Sequence, residues 1–120
     1  MAVTRAQLLG DISGNIKIGN ATTGCSLKTG TNNTFIGVGA GRSTTTGSNN
    51  NFIGQCAGNA NTFGGYNNFF GCRAGYCNTA GNFNNFIGYY SGYKNTTGTN
   101  NNFIGQCAGY SNTFGSTNNF

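Results

Sequence analysis

The chain repeats itself every 17 residues. NNNFIGQCAGNANTFG at residues 49–64 returns as NNNFIGQCAGYSNTFG at 100–115, a displacement of three periods. Stepping by 17 from Phe52 reaches Phe35, Phe69, Phe86, Phe103 and Phe120. The next column reads Ile36, Ile53, Phe70, Ile87, Ile104, and the one after it is Gly throughout, from Gly37 to Gly105. A small-residue column (Ala40, Ala57, Ala74, Ser91, Ala108) precedes turn glycines at Gly41, Gly58, Gly75, Gly92 and Gly109. Columns of Thr (Thr45 to Thr113), Gly (Gly47 to Gly115) and Asn (Asn33 to Asn118) complete the unit.

Seventeen residues are too few for a helical-hairpin repeat or a propeller blade, and several glycines per unit oppose helix. The unit suits one coil of a β-solenoid. One short strand falls at N-F-I-G and a second is expected near x-A-G, with turns where Gly and Asn tolerate positive φ. Stacked coils set like residues over like at about 4.8 Å, Phe on Phe and Asn on Asn. Gly24 and Gly30 carry the register back before Phe35, so residues 15–34 read as a degenerate first coil opened by NIKIG. Residues 35–120 then hold five coils, and residues 1–14 lie outside the repeat.

Phe and Ile are neighbours in every unit, so a strand points them to opposite faces. One column fills the coil and the other needs cover from outside. That predicts a homo-oligomer, with three chains about an axis as the favoured arrangement. The sequence stops at Phe120, where a new unit starts; the expectation is that either the natural chain continues or a partner covers the strand edge.

Composition narrows the function. Charged residues are 6% and His is absent, with Asp11 the single acid. Paired carboxylates and Ser–His or Cys–His couples are missing, which argues against an enzyme. The six Lys and Arg residues give a net charge of +5 but are spread singly, so the sequence lacks a nucleic-acid footprint. No stretch approaches the ~20 apolar residues of a spanning helix, and MAVTRAQLLG lacks the apolar core of a signal peptide. Assembly in a cytosol without membrane insertion is expected. Five cysteines at irregular spacing fit neither a disulfide framework nor zinc, and read best as small buried hydrophobes. No cofactor or metal is expected. The GxG at Gly37–Gly39 opens no helix and is no phosphate loop.

NNNFIGQCAGYSNTFG, NNFFGCRAGYCNTAG and NNFIGYYSGYKNTTG resemble the N-x-F-[IF]-G-x-x-A-G repeats of bacteriophage tail-fibre proteins, most closely those of marine cyanophages. More distantly they are similar to the β-roll head of trimeric autotransporter adhesins, a variant disfavoured because signal peptide and membrane barrel are both missing from this sequence. The resemblance covers about residues 24–120. It implies an all-β, homotrimeric fibre fixed to the tail, neck or capsid of a virion by its N-terminus and reaching toward a host surface.

Two segments then acquire expected roles. Thr4, Arg5, Ala6 and Gln7 fit a capping box, and Leu8 and Leu9 add an apolar turn, so residues 1–14 read either as a frayed terminus or as a virion-docking peptide. Tyr76, Tyr93 and Tyr110 share a column beside Lys94, and read either as coil-surface packing or as a strip facing a host polysaccharide. A self-assembling extracellular filament is the alternative to the fibre. Ice binding through the Thr column ranks behind both, because Gly and a mixed column with Lys94 flank it.

Overall fold

The computed structural model of the chain describes residues 13–120, and among these there is no helix. Six three-residue strands run from β1 (Ile16–Ile18) through β2 (Thr34–Ile36), β3 (Asn51–Ile53), β4 (Asn68–Phe70) and β5 (Asn85–Ile87) to β6 (Asn102–Ile104). They form one parallel sheet in chain order. From β2 to β6 each strand pairs with the residue 17 further on, Phe35 with Phe52 and so to Phe103. The protein is a β-solenoid.

The second strand expected near x-A-G does not form. In each coil from β2 onward the chain turns twice in three residues, as at Cys56 (φ 57°) and Gly58 (φ 58°), leaving no extended run. The ladder nevertheless continues through the turns. Gly58 N donates to Ala74 O at 2.9 Å, and Thr62 N to Thr79 O at 3.0 Å. Gly58 is required for a second reason: a Cβ there would stand 2.5 Å from the Phe52 ring.

The first coil departs from the period. Ile16 pairs with Thr34 and Lys17 with Phe35, a step of 18. The extra residue lies between Gly19 and Gly24, where Asn20 Oδ1 accepts from Thr22 N (3.0 Å) and Thr22 Oγ1 (2.6 Å), an Asx turn that absorbs it. A step of 17 back from Phe35 would put Ile18 inside. Instead Lys17 takes the inward place and Ile18 faces outward, 44% exposed. The Lys17 stem lies at the Phe35 end of the aromatic column, since a Cβ on Gly24 would meet both side chains. Long lysine stems cover apolar surface in this way.

The core is one side chain wide. Phe35, Phe52, Phe69, Phe86 and Phe103 are fully buried and stack face on face with centroids 4.7–5.2 Å apart. Isolated rings prefer offset or edge-on packing; here the coil rise imposes the parallel stack. Phe120 continues the column at 5.0 Å from Phe103 but is 63% exposed, so it is not the core residue its register predicts.

Beside the rings run two buried amide ladders. Each Asn from Asn33 to Asn101 accepts the backbone N–H of the next through Oδ1, as Asn50 does from Asn67 N at 3.0 Å, and donates to a Gly carbonyl of its own coil. Asn61, Asn78, Asn95 and Asn112 form the second ladder, with side-chain bonds of 2.7–2.8 Å between coils. Buried amides cost little when each is paired, and this pairing lets so polar a chain fold.

Candidate binding surfaces

Alternation fixes what the sheet shows outside. Its outward strand positions are Ile16, Ile18, Thr34, Ile36, Asn51, Ile53, Asn68, Phe70, Asn85, Ile87, Asn102 and Ile104. None is charged. Ile16, Ile18, Ile53, Ile87 and Ile104 are 38–63% exposed, while Ile36 and Phe70 are half-buried. Alongside runs a third amide ladder, Asn51 Nδ2 to Asn68 Oδ1 at 2.8 Å and on to Asn119 at 2.7–2.9 Å. Phe and Ile do face opposite ways as expected, and it is the Phe column that fills the coil, so Ile36, Ile53, Phe70, Ile87 and Ile104 are not core residues of the single chain. The outward column stands uncovered in the single chain.

A second surface lies on the turn that follows each strand. Tyr76, Tyr93 and Tyr110 stack on one another at 5.2 Å, so Tyr93 carries a ring on both faces. Tyr90 joins them, 4.9 Å from Tyr93 and 6.1 Å from Tyr110, and Tyr89 tilts against Tyr90 at 4.4 Å. Arg73 Nη1 donates to the Tyr90 hydroxyl, with the guanidinium 5.5 Å from that ring. Lys94 Nζ lies 5.5 Å from the Tyr110 centroid. The sequence reading found Tyr76, Tyr93, Tyr110 and Lys94 but missed Arg73, Tyr89 and Tyr90. The missing signal was the column shared by Arg73 and Tyr90, which the coil places beside the Tyr76 column.

Packing perturbs two of these phenols and the guanidinium. Burial raises the Tyr93 hydroxyl above its ordinary pKa, and a hydrogen bond with Tyr90 raises Tyr89. The bond to Tyr90 likewise raises the Arg73 guanidinium. Burial pushes the Cys77 thiol up, opposed by the charge of Lys94.

Other expected sites fare differently. All five cysteines are free thiols, yet none is buried; Cys25 and Cys107 are exposed and the rest half-buried, which corrects the small-hydrophobe reading. The strand and turn geometry turns these positions outward. Among the described residues no group of three or more His, Cys, Asp or Glu is gathered as for a metal. The Thr column is not a free hydroxyl array, because the hydroxyls of Thr45, Thr62, Thr79 and Thr96 each donate to the next coil's carbonyl at 3.1–3.3 Å. The docking residues Thr4, Arg5, Gln7, Leu8 and Leu9 lie outside the described residues.

The chain matches no protein-family model, no curated protein and no solved structure.

Proposed function

We propose that the protein is a non-enzymatic structural component of a phage fibre: a homotrimeric shaft held to the virion through residues 1–14, contributing to attachment at the host surface. The observation that carries this reading is the outward Ile and Phe column on an uncharged sheet face, exposed at Ile18, Ile53, Ile87 and Ile104 and half-buried at Ile36 and Phe70. Exposed apolar faces of this continuity mark association surfaces. A row of apolar groups and amides repeating at the coil rise is matched best by another solenoid of the same rise. The molecule carries a net charge of +5, so copies repel except where a face is free of charge. The likeness of the repeats to phage-fibre repeats supplies the context.

The test is the mass in solution by sedimentation, for the native chain and for Ile53→Lys/Ile87→Lys. Both side chains are 38–39% exposed in the single chain, so the variant keeps its coil. The expected result is a trimer for the native chain and a folded monomer for the variant. A folded native monomer, or a variant that remains trimeric, would overturn the reading.

A further inference from the structure

The repeat copies most of its columns faithfully, but the columns around the tyrosines vary. The Tyr90 column reads Gly39, Cys56, Arg73, Tyr90, Cys107, and the Lys94 column reads Ser43, Ala60, Cys77, Lys94, Ser111. Coil stacking therefore does not demand an Arg, a Lys or a Tyr at these places. The turn holds a left-handed φ at this column in every coil from Gly39 to Cys107, 57° at Arg73 and 59° at Tyr90, so the backbone is common to the column and only the side chains differ.

From this we infer that the surface formed by Tyr76, Tyr90, Tyr93, Tyr110, Arg73 and Lys94 binds an acidic polysaccharide bearing carboxylate or sulfate groups. The two cations sit on one continuous aromatic surface, Arg73 on Tyr90, Tyr90 on Tyr93 and Tyr110, and Lys94 on Tyr110. No Asp or Glu occurs among residues 13–120, so among the described residues neither cation has an acidic side chain beside it. Arg73 has five N–H donors in a fork suited to carboxylate or sulfate, and one of its nitrogens is already anchored by Tyr90. The tyrosine hydroxyls add hydrogen-bonding groups beside the two cations.

The stacking decides against two other ligands. Neutral sugars and single-stranded bases stack on open ring faces, and here Tyr93 is covered on both faces and Lys94 lies over Tyr110. A nucleic acid also engages a track of several phosphates, whereas this surface offers two cations. The inference rests on the fibre reading only for where the ligand would be met; the binding itself does not require a trimer.

Binding would be measured by calorimetry with the full chain against alginate, dextran sulfate and neutral dextran. The expected result is binding of the two acidic polymers but not of dextran, weakening as salt rises from about 50 to 300 mM. Arg73→Gln/Lys94→Gln should lose about tenfold in affinity or more, the scale of one to two charge-assisted bonds. Lys28→Gln/Arg42→Gln removes the same net charge elsewhere and should lose less than threefold. Lys94 is exposed, so Lys94→Gln alone serves if the double variant misfolds, with a loss of severalfold expected. Equal losses for the two double variants would overturn the site, as would equal affinity for dextran or for a single-stranded oligonucleotide. Sedimentation of the same samples separates this outcome from failure of the trimer, because acidic-polymer binding by a monomer leaves the site standing.

Discussion

At position 44 a hydroxyl stands where later coils carry an amide. The second ladder's column reads Leu27, Thr44, Asn61, Asn78, Asn95, Asn112. Thr44 Oγ1 is buried with no hydrogen-bond partner, and Asn61 Nδ2 bonds only Gly64 O, at 3.0 Å. An unpaired buried polar group costs about 1–3 kcal/mol. Thr44→Asn places an acceptor beside Asn61 and a donor beside Gly47 O, and should raise stability by about 1–2 kcal/mol. Thr44→Val, which removes the orphan without extending the ladder, should gain less. Denaturant titration of the three chains checks the order, and a Thr44→Asn chain less stable than the native one would refute the ladder account. Nothing in the letter Thr reveals this. It becomes visible only once the column is aligned and its neighbours are known to be paired.

The coil owes its shape to glycines that leave the strand. Gly71 and Gly105 occupy one column with φ of 135° and 128°, so a side chain strains the backbone at both. A Cβ on Gly71 would meet Gly88 O at 2.6 Å, whereas one on Gly105 meets nothing within 4 Å. Gly71→Ala should therefore cost about 2–4 kcal/mol from strain plus overpacking, and Gly105→Ala only the strain, about 1–2 kcal/mol. Equal costs in thermal unfolding would show that coil-to-coil contact is not what excludes the side chain. Period, strand position and turn glycines were all legible in the sequence, because each stacked column must repeat its chemistry, whereas which apolar column turns inward was not. The 18-residue first coil was legible too, since NIKIG aligns with NTFIG at that spacing, but counting from the glycines hid it. The absent second strand was not, for it depends on left-handed φ at Cys56, Arg73, Tyr90 and Cys107, residue types that rarely announce such a conformation. The outward cysteines and the Arg73–Tyr90 contact followed from that same turn and were lost with it.

At the scale of the molecule, among the described residues each strand touches only the strands before and after it. Stability in such an array is a sum over coils and their junctions. Deleting residues 52–68 joins Asn51 to Phe69 and restores every column, so the shortened chain should fold with its melting temperature lowered by several degrees. Deleting residues 53–68 sets Phe86 18 residues after Phe52 without the Asx turn that absorbs the extra residue of the first coil, so Asn85 rather than Phe86 falls at the inward place beyond the junction. Its circular dichroism should show loss of the solenoid. If both deletions fold equally well, register is not what holds the coils.

The hydrogen bonds that join the coils all lie along the direction in which they stack. Tension between the ends of the stack therefore passes through every coil junction in series, and the weakest junction yields first. Each coil that lets go releases 17 residues, about 55 Å of slack chain, in place of a rise of about 5 Å. The same ladder that makes the rod stiff when pressed or bent makes it yield in steps when pulled, so that a tether built this way absorbs a sudden load by paying out line.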